Sequence, residues 1–286
     1  MPDTTKTAHH PVPDLVIKPS KGWGSLALDE LWEYRDLLRF HISRNIKGKY
    51  RQMALGPLWI ILQPIVNMVL FTFVFGKVAR LPSEGIPYPI FTFVAILPWR
   101  YFATCTQSSL GSLVTNMNII SKVYFPRLVM PLSAAIAAIV DFLICFVIMI
   151  GLMLYFHYIP GWKTLLIPLY LLFAGMTGLG IGLWTASLTV RFRDLKLVAN
   201  NGIRVAMYAT PVAYSATLIA EKFPEWMWLY KLNPMYWVIE GFRWSLLDTG
   251  NPPELYMLIP IGLVVLLLIT GAYVFRRTER TIVDLL

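Results

Sequence analysis

The sequence predicts an all-α integral membrane protein: six transmembrane helices, an N-terminal amphipathic interface helix, and short outer-leaflet helices ahead of the last span. Three observations carry this. Of 286 residues, 57% are hydrophobic and only 14% charged, whereas soluble domains hold roughly 45–50% apolar and about 25% charged residues. Six stretches approach the length of about 20 apolar residues that a hydrocarbon core requires, in helical form because backbone amides in lipid must be satisfied within their own segment. Lys and Arg also fall unevenly on the loops between those stretches.

Residues 1–25 read as a flexible extension, carrying prolines and charges with no apolar core of the kind a secretory signal needs, so no cleaved peptide is expected. Residues 26–52 form the interface helix. Leu31, Tyr34, Leu38 and Ile42 share one helical face, with Arg35, Arg39 and Arg44 elsewhere around it. Its acids (Asp29, Glu30, Glu33, Asp36) precede its bases, the order a helix dipole favours. The expectation is a helix lying flat on the cytoplasmic leaflet, its bases near anionic headgroups.

Residues 53–286 make the six-span domain, with spans at about 55–76, 88–111, 129–155, 164–190, 197–220 and 255–275. An even number of spans places both termini on one side. The loops on that side hold seventeen Lys and Arg against six on the other, so both termini are expected to be cytoplasmic. The nine surplus positive charges are then topological, and nucleic-acid binding is not implied.

Chemistry-bearing motifs are missing from the sequence. The Gly-Lys pairs at Gly48 and Gly76 lack the upstream glycine and the following hydroxyl of a phosphate loop, so ATP hydrolysis is not expected of this chain. The four histidines are scattered, and no Cys or His spacing matches a metal site. Cys105 and Cys145 sit inside apolar runs and read as small hydrophobes. In the fourth span Ala174, Gly178 and Gly182 lie four apart, a smooth strip for close helix packing, more readily within the chain than between chains.

Two further features concern sites. The outer loop 221–254 is dense in aromatics, among them Trp226, Trp228, Tyr230, Tyr236, Trp237 and Trp244, interrupted at Asn233-Pro234. Such rings suit either an interfacial belt or contact with sugar rings. Arg100 and Asp141 are the charges nearest the middle of any span, 12 and 14 residues from the outer ends at Tyr88 and Tyr155. Each alone costs about 2.5–3.5 kcal/mol at mid-bilayer. Their depths differ by about 3 Å, so they could pair inside the bundle. Equally, Arg100 could line a hydrated channel and meet phosphate or sugar, with Asp141 bonded elsewhere.

Five segments in order carry a family resemblance: "RNIKGKYRQMALGPLWIILQP", "NIISKVYFPRLVMPLS", "VRFRDLKLV", "TPVAYS" and "LNPMYWVIEGFRWSLL". From about Leu26 to the C-terminus the chain resembles the permease subunit of a type 2 ABC exporter, in the branch that exports polysaccharide such as O antigen, capsule or teichoic acid. The resemblance implies a homodimer in the bacterial inner membrane, each subunit docked to a separate ATPase chain that binds ATP and Mg. The docking elements would be 31–49, 116–127 and 191–196, with Arg35, Arg39, Asn116, Lys122, Arg127, Arg191, Arg193, Asp194 and Lys196 as candidates. It implies a channel for lipid-linked polysaccharide, O antigen foremost, with Arg100 and the outer-loop aromatics at the channel or its gate. Alternatives are a related permease for a small amphiphile or drug, and a membrane-embedded glycosyl- or acyltransferase.

Overall fold

The computed structural model describes residues 28–51, 58–116, 125–192 and 194–284. Expectations for residues 1–25, Lys122 and Arg193 lie outside the described residues. Among the described residues the regular structure is helical throughout.

Helices α1 (Leu28–Glu33) and α2 (Arg35–Arg51) open the chain. Helix α3 (Leu58–Phe71) continues as a π-helical stretch, Thr72–Val78. Next come α4 (Tyr88–Thr115) and α5 (Val129–Tyr155), then a 3-10 turn leading into α6 (Ile167–Arg191). Helix α7 (Leu195–Ala209) is followed by three short helices: α8 (Ala216–Lys222), α9 (Met227–Leu232) and α10 (Pro234–Leu247). Helix α11 (Leu258–Asp284) closes the chain.

Among the described residues, four helical stretches are long and apolar enough to cross a membrane: Leu58–Val78, Val129–Tyr155, Trp162–Arg191 and Leu255–Thr278. These are the expected first, third, fourth and sixth spans. The outward sides of α5, α6 and α11 carry Val147, Leu154, Leu169, Leu172 and Leu266, all more than half exposed, a surface suited to lipid tails. Helix α4 has the length, 28 residues or about 42 Å, but carries a hydroxyl or amide side chain on most of its later turns. The expected fifth span, 197–220, is not one helix. It stops at Ala209 because Pro211 disfavours helical geometry at Thr210, whose ψ is 148°. Ser215 then caps the separate helix α8, accepting a bond from Thr217 N at 3.2 Å.

Helix α4 is the hub, packed against α3, α5, α6 and α10. Ile90, Phe91, Phe93, Val94 and Ala95 on it are fully buried. The approach of α6 depends on the small-residue strip. A Cβ on Gly182 would fall 2.5 Å from Ser109 Cβ, and one on Gly178 would fall 2.8 Å from the Phe102 carbonyl oxygen. The strip is therefore used for packing within the chain.

The amphipathic segment of α1 and α2 packs on the bundle through its apolar face. Leu31, Tyr34, Leu37 and Leu38 pack on a second apolar cluster made by Leu113, Phe125, Val129, Met130, Ala186 and Phe275, at one end of the bundle. From there α2 runs alongside α5. Asn45 donates to Ser133 at 3.3 Å, and Lys49 and Tyr50 reach Asp141. Asp141 lies 12 residues into α5, about 18 Å along it. The apolar face of this segment is half-buried against the rest of the protein.

Candidate functional site

The two ends of the bundle are built differently. At the α2 end, a polar cleft of about 360 Å³ opens between α2, α4 and α5, with Lys196 of α7 at its edge. The α4 wall consists of Thr104, Gln107, Ser108, Gly111 and Thr115, one face of the helix at three- and four-residue spacing. Alanines 134, 137 and 138 keep the α5 wall low and so leave the space open. Lys49 and Asp141 form an ion pair across the cleft, and the Tyr50 hydroxyl donates to Asp141 Oδ1 at 2.9 Å. Burial, and then the bond to Asp141, push the Tyr50 hydroxyl well above its ordinary value, so it stays protonated and donates. At the cleft floor Arg44 donates to Asn116 Oδ1 at 2.5 Å, while Asn116 Nδ2 donates to the Ser112 carbonyl at 2.8 Å.

This geometry decides how the two mid-span charges are held. Asp141 takes its bonds from Lys49 and Tyr50, and Arg100 donates to Gln63 Oε1 at 3.2 Å. Among the described residues no ion pair joins Arg100 to Asp141, so the direct contact that their matching depth suggested is not made. Both line a small cavity of about 20 Å³, water-sized, whose walls include Thr104 and Ala138, which also line the larger cleft. The two residues come to one cavity, but α2 supplies Asp141 with a closer cation than α4 does.

The opposite end is closed. Asn233 caps α10 by accepting a bond from Met235 N at 3.0 Å, and Pro234 stands at its first turn. Twelve of its 14 residues are buried. Arg243, fully buried, bonds Glu240 Oε1 at 3.0 Å and the carbonyls of Val212 and Tyr214 at 3.2 and 3.3 Å. Its guanidinium lies 3.8 Å from the Phe91 ring centroid on α4. Glu240 also accepts from Asn251 N at 3.1 Å, and nearby Glu84 accepts from Gly250 N at 3.2 Å and from Ser215. Four separate segments thus meet at one buried polar cluster. Arg243, counted from sequence among outer-loop charges, is instead a core residue. The signal that could have shown it is the Glu-x-x-Arg spacing inside an apolar, aromatic helix.

The aromatic set divides accordingly. Tyr236 and Trp237 are 0% and 1% exposed, while Trp226 and Trp228 are 59% and 60% exposed. Trp237 Nε1 donates to the Lys231 carbonyl at 2.7 Å, and the Tyr236 hydroxyl accepts from Asn251 at 2.9 Å. Tyr230 is half-buried and bonded to the Tyr214 hydroxyl; Trp244 lies under Lys163, 4.7 Å from Nζ to the ring centroid. Of these six rings, Trp226 and Trp228 are the two more than half exposed.

The candidate docking residues fall at the α2 end. Arg35 lies 5.9 Å from the Trp32 ring centroid, and Arg39 pairs with Asp36 at 3.2 Å with both side chains mostly exposed. Arg191 and Asp194 are exposed between α6 and α7, and Arg127 is half-buried before α5. Asn116 and Lys196 turn into the cleft rather than away from it.

The comparisons agree with this architecture. The family model for the ABC-2 type transporter matches residues 37–247, so the chain belongs to that family of membrane transport subunits, powered by an ATPase partner. It is 29% identical over 253 residues to the O-antigen export system permease protein RfbA of Myxococcus xanthus, covering 87% of this chain and 96% of the relative. The protein of the same name from Klebsiella pneumoniae is 28% identical over 88% of this chain and 95% of its own length. The polysialic acid transport protein KpsM of Escherichia coli is 25% identical over 70% and 77% respectively.

Proposed function

We propose that this chain is the permease of an exporter that moves lipid-linked polysaccharide, O antigen foremost, outward across the bacterial inner membrane. It acts as a homodimer with two copies of a separate ATPase, which binds ATP and Mg. Both termini and the α2 end face the cytoplasm, and α4 and α7 complete the count of six spans. The observation that carries the substrate is the nearly full-length alignment, 95–96% of each relative, with two O-antigen export permeases.

The geometry supports this reading. A permease needs no covalent chemistry; it needs a path for a hydroxyl-rich chain and a means of receiving mechanical work. The polar face of α4 suits the first. Helix α2, with its exposed arginines and its bonds to α4 and α5, suits the second, because force applied to it reaches the bundle through short polar contacts. Nucleotide binding in the ATPase then favours one permease state by differential contact with that end.

The test is complementation. The chain, expressed with its ATPase in a strain that synthesises O antigen but lacks its own export permease, should restore surface glycan. Glycan that stays cytoplasmic although the complex assembles would reject the polysaccharide reading. Failure to co-purify with any phosphate-loop ATPase would reject the partner.

A further inference from the structure

The cleft at the α2 end has a composition that structural packing does not require. Against lipid tails or apolar side chains, hydroxyl and amide groups at this depth are costly. Yet α4 presents Thr104, Gln107, Ser108 and Thr115 on one open face. Such groups both donate and accept, matching a ligand that also does both, as sugar hydroxyls do. Charge narrows the choice further. Two lysines, Lys49 and Lys196, stand over the cleft with Asp141 as the sole acid in its lining. Lys196 pairs with no acid among the described residues, and Arg44 adds a third positive charge behind Asn116. The balance favours an anion, and an ammonium is a compact point charge suited to phosphate.

We propose that this cleft binds the phosphate-bearing head of the exported lipid-linked glycan, Lys49 and Lys196 holding the phosphate and the α4 face the adjoining sugar. The inference rests on the polysaccharide-export reading and locates where that substrate is first held. Asp141 has a defined part in it. In the empty cleft it compensates Lys49; a phosphate competes for the same ammonium, which weakens the Lys49–Asp141 bond between α2 and α5. Occupancy is thereby reported to the helix proposed to contact the ATPase, and glycan lipid should raise ATP hydrolysis by the complex.

The experiment uses the complete permease–ATPase complex in phosphatidylethanolamine–phosphatidylglycerol vesicles. A photoreactive residue is placed at Gln107, with a control at Val147, which is 68% exposed on α5. Radiolabelled polyprenyl-phosphate-linked glycan should label position 107 about tenfold above 147, and Lys49→Met or Lys196→Met should each lower that labelling by about tenfold, the size expected for losing a charged hydrogen bond. Lys49→Arg and Lys196→Arg should retain most of it. Because Lys196 is exposed, its variants test the site even if Lys49→Met fails to fold. Equal labelling at both positions, or labelling indifferent to Lys196, would overturn the site. Equal labelling of position 107 by a water-soluble phosphorylated glycan that lacks the polyprenyl chain would overturn the lipid-linked source. Specific labelling in a complex that exports no glycan would leave the site standing and reject the export reading instead.

Discussion

The α2 end and the α10 end of the molecule use the same kinds of side chain to opposite purpose. Around Arg243 a buried Arg–Glu pair, with Arg243 and Glu240 exposed by 0% and 1%, is joined by backbone carbonyls and by the half-buried Glu84 and Asn251. Around Asp141 the ion pair is half open, Lys49 38% and Asp141 16% exposed, beside a cleft large enough for a ligand. A closed polar cluster fixes one arrangement, because breaking it strands a buried charge. An open pair can exchange partners at small cost, since water or a ligand can take the place of either group. The contrast assigns rigidity to the α10 end and adjustability to the α2 end.

The sharpest way to break that contrast is to damage the closed cluster. Arg243→Met should leave Glu240 buried and uncompensated and destabilise the protein by about 3–5 kcal/mol. Thermal unfolding in detergent would show it, and adding Glu240→Gln should recover part of the loss. A midpoint unchanged by Arg243→Met would remove the cluster as a structural anchor. Among the aromatics, Trp237→Ala should cost about 3–5 kcal/mol as a core truncation, and exposed Trp228→Ala within about 0.5 kcal/mol. If export falls with Trp228→Ala while the midpoint holds, the exposed pair is a guiding surface; if the two variants unfold alike, the division of the loop is wrong.

Gly182→Leu tests the packing shared by both ends. With Ser109 Cβ 2.5 Å from the new Cβ, α6 must move off α4, at a cost of about 1–3 kcal/mol, read as a lowered midpoint. Asp141→Asn should cost less, about 1 kcal/mol or below, since Lys49 can turn to water. A loss as large as that for Arg243 would mean that the cleft is as closed as the opposite end.

The smallest effect belongs to His41, 2% exposed between Phe40 and Phe125. Burial, and then the Arg44 cation, hold it below its ordinary value of 6.5. Below that pH the unfolded chain takes up a proton that folded His41 resists, so stability falls as pH drops from 6.5 through the folded value. His41→Gln should flatten this part of the profile, moving the midpoint by about 2 °C or less at pH 6. A slope unchanged by the substitution would assign it to other groups.

Much of the fold was legible along the chain. The third span, 129–155, matches α5 from end to end, because a long uninterrupted apolar run has few other solutions. The fifth was read too long, since Pro211 was passed over inside an apolar run although it disfavours helix at the residue before it. For the aromatic loop, the Asn-Pro break was legible and marks the start of α10. The burial of Tyr236 and Trp237 was not, because an amphipathic aromatic ring satisfies an interface and a core equally well.

By itself the sequence determined the membrane class, the helical character and the uneven charge of the two sets of loops, because hydropathy and charge add along the chain whatever its neighbours do. Tertiary structure alone decided which groups meet. Asp141 takes Lys49 and Tyr50 instead of Arg100 because α2 comes to lie along α5, a placement set by apolar contacts of Leu31 on α1, Tyr34, and Leu37 and Leu38 at the start of α2. Arg243 became a core residue because α10 turns inward between α4 and α6. Pairing between distant residues depends on how whole helices rotate and approach, and that is fixed by packing summed over many side chains, which no single segment encodes.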